Sequence, residues 1–143
     1  MTIEIKVLGP NDEAVLQYIA PEVFDKPIES HLVAEFLHDD RHHLAVVLDG
    51  NLIVGFASGV TYVHPDKPLE LWINEVGVSS SYRKQGIGKR VIQALLEVGR
   101  AAGCREAWVL TDRSNAAANH LYKSIGGTED PGDTIMYMFL LDT

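Results

Sequence analysis

Cysteine is almost absent from this chain, because Cys104 is the single thiol among 143 residues. One thiol excludes an internal disulfide and any metal site built from several cysteines, and the histidines show no metal-ligand spacing. We therefore predict no bound metal ion. We interpret Cys104 as a small buried residue that begins a strand.

Long apolar runs are also missing from the sequence. No stretch approaches the roughly 18 consecutive apolar residues that a membrane-spanning helix needs. The N-terminal sequence MTIEIKVLGPNDE has no basic segment followed by an apolar one, as a targeting segment would have. These features predict a cytoplasmic protein without a membrane partner.

Basic residues are scarce, with 12 Lys and Arg against 20 Asp and Glu and a formal net charge of -8. This balance argues against nucleic-acid binding and favours cationic partners or substrates. The length and a hydrophobic share of 46% fit one globular domain over residues 1–143.

The hydrophobic pattern predicts an α/β (α+β) domain in which strands alternate with helices. We expect helices that begin near Asn11 and Ser30 and helices over residues 87–102 and 115–125. We expect strands over residues 2–8, 42–48, 52–62, 69–78, 107–111 and 135–141. Asp49-Gly50 predicts a tight hairpin. A helix joins the strands at residues 69–78 and 107–111, so we expect these two strands to be parallel. We also expect the strand at residues 107–111 to be buried.

A glycine-bearing loop joins the predicted strand at residues 69–78 to the helix at residues 87–102. Its sequence is Arg83-Lys84-Gln85-Gly86-Ile87-Gly88. The first N–H groups of a helix have no internal partners and the helix dipole is positive there, so such a loop favours an anion. The spacing of a P-loop is absent, and so is the third glycine of a dinucleotide fingerprint. A pyrophosphate is the predicted guest.

Two segments carry a resemblance to a known family. The loop resembles the R/Q-x-x-G-x-G/A signature of the GCN5-related N-acetyltransferase (GNAT) family, which binds the pyrophosphate of acetyl-coenzyme A. Residues 111–127 are similar to the family's N-x-x-A-x-x-L-Y-x-x-x-G-F segment, except that Gly127 replaces the usual aromatic residue. The resemblance implies the GNAT fold, a mixed and mostly antiparallel sheet that is splayed at its middle and flanked by about four helices.

The resemblance also implies the residues that bind acetyl-coenzyme A. Backbone groups of Val76 and Val78 would pair with the pantetheine arm as an added strand does, and Asn115 would reach the same arm. Tyr122 would place its hydroxyl near the thioester sulfur and protonate the departing thiolate. The N–H groups of the loop, with Arg83 nearby, would hold the pyrophosphate; they belong to Lys84, Gln85, Gly86, Ile87 and Gly88. Tyr122 could instead be a core aromatic, and Asn115 a helix cap.

Acetylation of an ammonium group requires a base. Glu75 lies on the same predicted strand as Val76 and is our candidate, acting directly or through water. The alternative is a solvent-facing strand residue that pairs with a basic neighbour. Asp112 and Glu70 are the next candidates, and both could instead bind a cationic substrate, as could Asp25.

Three segments carry a closer resemblance: the end of a strand pair at Thr61-Tyr62-Val63-His64-Pro65, the run from Glu70 to Val78, and the loop from Tyr82 to Ile87. Over residues 32–126 the chain looks like the aminoglycoside 3-N-acetyltransferases of the gentamicin and fortimicin type. These enzymes carry an aspartate where this chain has Glu75. The resemblance implies direct acetyl transfer to the 3-amino group of a polycationic antibiotic, resistance to that antibiotic, and a homodimer. Acetylation of another small amine or of a protein or peptide amine is one alternative, and a non-catalytic domain that binds acyl-coenzyme A is another.

Overall fold

The computed structural model describes residues 2–142, and a five-stranded sheet with its strands in sequence order lies at its centre. The strands are β1 (Ile3–Val7), β2 (His42–Asp49), β3 (Leu52–Tyr62), β4 (Glu70–Val78) and β5 (Glu106–Val109). The first four pair antiparallel, and β5 pairs parallel to β4. This arrangement confirms the predicted mixed, mostly antiparallel sheet.

Three α-helices flank the sheet within residues 2–142: α1 (Ser30–Leu37), α2 (Ile87–Ala102) and α3 (Ala116–Ser124). Two short 3₁₀ helices, Glu13–Gln17 and Ser80–Tyr82, complete the set. The helix predicted after Asn11 is therefore only a 3₁₀ turn. The carboxylate of Asp12, at the cap position, accepts a hydrogen bond from the backbone N–H of Gly9 at 2.8 Å and caps no helical N–H.

The core lies where α2 covers one face of the sheet. Val91 and Leu95 of this helix are completely buried, and their side chains recur at helical spacing on one stripe. Gly99 lets the helix approach closely, because a Cβ at that position would lie 3.0 Å from the Leu71 side chain. The opposite face of the sheet is covered by α1 and the first 3₁₀ helix, which leaves a pocket.

The sheet separates between β4 and β5. Their pairing ends at Ile73 and Val109, whereas β4 continues to Val78 paired with β3 alone. The expectation of a sheet that is splayed at its middle is confirmed. The separation exposes one edge of β4 over residues 74–78, at the point where the chain enters the glycine-bearing loop.

Two expectations near the C-terminus are wrong. Residues 135–141 form no strand, because no neighbouring strand pairs with them within residues 2–142. The strand β5 is parallel to β4 as expected but is mostly exposed, since it is the last strand of the sheet. No helix in residues 2–142 has both the length and the apolar character to cross a membrane.

Candidate active site

A β-bulge in β4 determines where Glu75 lies. Ile73 pairs with Gly59 and Glu75 pairs with Ser58, so Asn74 is an extra residue without a partner on β3. An extra residue reverses the alternation of side chains along a strand. Without the bulge, Glu75 would share the face of Ile73, which α2 covers. With it, Glu75 lies on the opposite face.

Glu75 lines a pocket between that face of the sheet and α1. The pocket has a volume of about 440 Å³, and Phe24 and Phe56 stack along its wall with ring centroids 4.1 Å apart. Its other carboxylates are Asp25 and Glu29, in the segment that leads into α1. The pocket is therefore mostly apolar, with a few acidic groups that suit an amine.

The segment over this pocket is held against β4 at Gly77. A Cβ at Gly77 would lie 2.1 Å from the carbonyl oxygen of Val23 and 2.8 Å from the Phe56 ring. Only glycine permits this approach. Val23, with 3% of its surface exposed, is fixed there, so the segment that carries Phe24 and Asp25 has a defined position.

The loop before α2 has the backbone geometry of an anion site. Lys84 and Gly86 both have positive φ, 63° and 77°, a local conformation that turns successive N–H groups to one side. Gly86 is the N-cap of α2 and no side chain caps this helix. The first N–H groups of α2 are therefore available to a phosphate.

The residues of this loop contribute in different ways. Gly86 has no heavy atom within 4 Å of a Cβ position, so a ligand can approach its backbone. Gly88 does not serve this purpose, because a Cβ there would lie 3.2 Å from Leu121 of α3. Ile87 has a buried side chain, so only its N–H can face an anion. Gln85 donates from its side-chain amide to the Ser81 carbonyl at 3.4 Å.

Arg83 is already engaged by neighbouring groups. Its Nε donates to the Val78 carbonyl at 3.3 Å, and its guanidinium lies 3.8 Å from the Glu22 carboxylate. Glu22 also accepts a hydrogen bond from Ser80 at 3.3 Å. Glu22 thus connects the segment over the pocket to the loop, a role that the sequence analysis missed.

Asn115 is the N-cap of α3, and its side-chain oxygen accepts from the Ala118 N–H at 3.0 Å. The cap interpretation is confirmed, and the pantetheine contact stays a prediction. Asn119 was missed: its amide donates to the carbonyls of Asp112 and Asn115 at 3.0 and 2.7 Å. Asn119 therefore holds the turn between β5 and α3 in shape. Asp112 itself is exposed in that turn.

Tyr122 lies on α3 and is partly buried against the core. Burial raises the pKa of its phenol above the ordinary value of 10. The hydroxyl therefore keeps its proton at neutral pH and can act as a hydrogen-bond donor. The partial burial fits both the core interpretation and the acid interpretation, so the catalytic role stays a prediction.

The structure does not bring Glu70 to this pocket. Glu70 begins β4, five residues before Glu75, and its carboxylate accepts a hydrogen bond from Tyr62 at 3.4 Å and lies 3.4 Å from His64. Asp25 lines the pocket, whereas Glu70 and Asp112 are absent from its lining. In residues 2–142, no three His, Cys, Asp or Glu side chains are grouped as metal ligands.

The sheet separates between β4 and β5, an uncapped helix start follows β4, and a pocket with a carboxylate lies on one face of the sheet. This arrangement suits a protein that binds a phosphorylated carrier and a second ligand. The comparison with protein families gives the particular family. The model of the acetyltransferase (GNAT) family matches residues 12–126, and the chain belongs to this family.

The relatives are named as acetyltransferases, and their names give different acceptors. The chain is 33% identical over 90 residues to the N-alpha-acetyltransferase RimI of Mycobacterium tuberculosis. The aligned region covers 63% of this chain and 54% of that protein. It is 30% identical over 112 residues to a streptothricin acetyltransferase of Streptomyces lavendulae, with 70% and 57% covered. The chain thus spans little more than half the length of these two relatives.

Solved structures agree on the fold. An aminoglycoside acetyltransferase from an uncultured soil metagenomic sample, solved in complex with sisomicin, superposes with a TM-score of 0.78 at 23% identity, with 96% of both chains covered. The aminoglycoside acetyltransferase AAC(6')-Iy was solved in complex with a bisubstrate analogue containing coenzyme A. It superposes with a TM-score of 0.78 at 21% identity, with 98% of this chain and 99% of that chain covered. At this level of identity the likeness establishes the fold alone.

Acetyl-coenzyme A is the co-substrate of the family, and the residues present fit it. The uncapped N-terminus of α2 and the positive φ of Gly86 suit a pyrophosphate. The edge of β4 beyond Ile73, which β5 leaves unpaired, suits the amide groups of a pantetheine arm. These two features adjoin each other along the chain.

Proposed function

We propose that this chain is an acetyl-coenzyme A-dependent N-acetyltransferase that acts directly on a primary amine of a small polycationic molecule, with the 3-amino group of an aminoglycoside as its acceptor. The observation that carries the proposal is the position of Glu75. The bulge at Asn74 puts Glu75, which is exposed, on the face of the sheet that carries the pocket and among its lining residues, while the neighbouring residues Val76 and Val78 form the β4 edge suited to the acetyl donor.

The reaction needs a proton acceptor, an activated acetyl group and a proton donor. Acetyl-coenzyme A supplies the acetyl group as a thioester. Glu75 accepts a proton from the bound ammonium, directly or through water, and frees the nitrogen lone pair for attack. Tyr122 keeps its phenolic proton at neutral pH, since burial raises its pKa. It donates this proton to the leaving thiolate and regains a proton from the nitrogen, which loses its second proton as the amide forms.

The charges around the pocket support a cationic acceptor. Asp25, Glu29 and Glu75 line it, against one basic residue, Lys26. The whole chain carries a formal net charge of -8, and carboxylates grouped in a cleft concentrate positive ligands there. The aminoglycoside acetyltransferases among the fold neighbours are consistent with this acceptor class.

The apolar lining of the pocket favours a second candidate, the α-amine of a peptide. Phe24, Phe36 and Phe56, with leucine side chains between them, would suit an apolar first side chain better than a sugar hydroxyl. The relative from Mycobacterium tuberculosis is named as an N-alpha-acetyltransferase. The same base and the same donor site would serve both acceptors.

The first experiment measures free thiol release from acetyl-coenzyme A with gentamicin, sisomicin, fortimicin, spermidine and short peptides that have apolar N-termini. Mass spectrometry and NMR of the product locate the acetyl group. Turnover confined to aminoglycosides, with acetylation at the 3-amino group, is the expected result. Turnover confined to peptides would overturn the acceptor assignment and leave the transferase assignment standing.

A variant tests the base. Glu75→Gln keeps the shape of the side chain and removes its charge, and we expect kcat to fall roughly 10²- to 10⁴-fold. Calorimetry should show unchanged acetyl-coenzyme A affinity. Glu35→Gln is the matched control, because Glu35 is an exposed carboxylate on α1 outside the pocket lining. Equal activity of both variants would rule out Glu75 as the base.

A further inference from the structure

Two polar residues lie side by side on the floor that the sheet gives to the acceptor pocket. Ser58 of β3 and Glu75 of β4 both line the pocket, and they pair with each other across the two strands. Directly opposed residues of antiparallel strands share a face, with Cβ atoms roughly 4.5–5.5 Å apart. Leu44, which pairs with Ser58 from β2, and Phe56 are the other strand residues of this lining. The hydroxyl and the carboxylate are therefore neighbours in apolar surroundings.

The hydroxyl of Ser58 is buried without a protein partner. Ser58 is 7% exposed, and Thr61 on the same strand is 6% exposed. The Thr61 hydroxyl is hydrogen-bonded to the His43 ring at 3.0 Å, whereas no group within residues 2–142 is hydrogen-bonded to the Ser58 hydroxyl. A buried hydroxyl without a partner costs free energy, so one that is retained needs an explanation. Because Ser58 lines the pocket, a bound ligand can supply the missing partner.

We propose that Ser58 and Glu75 form a two-point seat for the reacting nitrogen of the acceptor. The ammonium donates one N–H to the Glu75 carboxylate and a second N–H to the Ser58 oxygen, while the Ser58 O–H donates to the carboxylate. Glu75 takes the first proton. The second N–H stays on Ser58, which fixes the direction of the freed lone pair. This inference rests on the proposed function and adds the residue that orients the amine within it.

The seat needs Ser58 because Glu75 alone defines the position of the nitrogen poorly. The Glu75 side chain is exposed and has three rotatable bonds, so its carboxylate can adopt several orientations. Ser58 has one short rotatable bond and lies on β3, which is paired with β2 on one side and β4 on the other. A group on such a rigid element holds its ligand more precisely than a mobile one does.

The first test is Ser58→Ala, which removes the hydroxyl and adds no atom. For each amine that the wild-type chain acetylates, we expect kcat/KM to fall roughly ten- to a hundredfold, because a hydrogen bond to a charged group is lost. KM for acetyl-coenzyme A should stay unchanged. Ser58→Thr keeps the hydroxyl and should restore most of the activity. Tm of Ser58→Ala should equal or exceed that of the wild type, since the variant no longer buries an unpaired hydroxyl.

Thr61→Val is the matched control, because it removes a buried hydroxyl from the same strand outside the pocket lining. The Thr61 hydroxyl has a protein partner, so we expect a lower Tm and an unchanged kcat/KM for the amine. If Ser58→Ala showed this same result, or if Ser58→Thr were as impaired as Ser58→Ala, the seat would be refuted while the transferase assignment stood. A wild-type chain without turnover on any amine of the panel would overturn the proposed function and the seat together.

Discussion

Substitution of Gly77 by alanine should disturb the acceptor pocket through one methyl group. The new Cβ would lie 2.1 Å from the Val23 carbonyl oxygen and 2.8 Å from the Phe56 ring. Neither group can retreat without moving its neighbours, because Val23 is 3% exposed and Phe56 is 2% exposed. The segment that carries Phe24 must therefore move away from β4.

The size of the effect follows from the overlap. Insertion of a methyl group into a packed site of this kind costs about 1–3 kcal/mol, which for a chain of this length lowers Tm by roughly 3–10 °C. Phe24 and Phe56 both line the pocket, so we also expect KM for the amine to rise several-fold. KM for acetyl-coenzyme A should rise by less, because the donor site feels the overlap only through the backbone of β4 at Gly77 and through the contacts of Glu22 with Arg83 and Ser80.

The control is Gly50→Ala in the hairpin between β2 and β3. Gly50 has a positive φ of 63° and no heavy atom within 4 Å of a Cβ position, so alanine there costs about 1–2 kcal/mol of backbone strain alone. Thermal unfolding and steady-state kinetics are measured for both variants. If Gly77→Ala kept the wild-type Tm and the wild-type KM for the amine, the close contact with Val23 would be refuted.

Three further predictions concern single side chains. Tyr122→Phe should lower kcat at least tenfold with acetyl-coenzyme A affinity unchanged by calorimetry, because only the proton donor is lost; unchanged kcat would favour the core interpretation. Burial lowers the pKa of His43 below 6.5 in the folded state, so protonation of this side chain disfavours folding. The part of the free energy of unfolding that His43 contributes above pH 6.5 is therefore lost as the pH falls through the folded-state pKa. His43→Gln should therefore lose less stability than wild type between pH 7 and 5 in denaturant titrations, and equal losses would contradict this. Cys104→Ser should keep full activity, since burial raises the pKa of this thiol and direct transfer needs no acetyl-enzyme; a large loss of kcat would refute direct transfer.

Features that depend on neighbouring residues in the chain were predictable from the sequence. The hairpin at Asp49-Gly50 follows from the turn preference of that dipeptide, and the cap at Asn115 follows from its side-chain oxygen. Gly86 at the start of α2 marks the anion loop for the same local reason. Backbone conformation and helix ends are set by a few adjacent residues, so these features need no knowledge of the fold.

The bulge in β4 was missed although its signal is present in the sequence. The apolar residues Leu71, Ile73, Val76 and Val78 are spaced two, three and two apart, so the alternation changes phase between Ile73 and Val76. The structure shows that Asn74 is the extra residue. A change of phase can mark a bulge or the end of a strand, and only the pairing with β3 distinguishes them.

The sequence by itself determined the family, the anion loop and the identity of the candidate base Glu75. Tertiary structure decided which acidic residues share the pocket, since it brings Asp25 and Glu75 together and leaves Glu70 paired with Tyr62. It also decided that residues 135–141 form no strand within one chain. A strand exists only when another strand supplies its hydrogen bonds, and distant segments share a pocket only after the sheet has assembled, so neither outcome is encoded in adjacent residues.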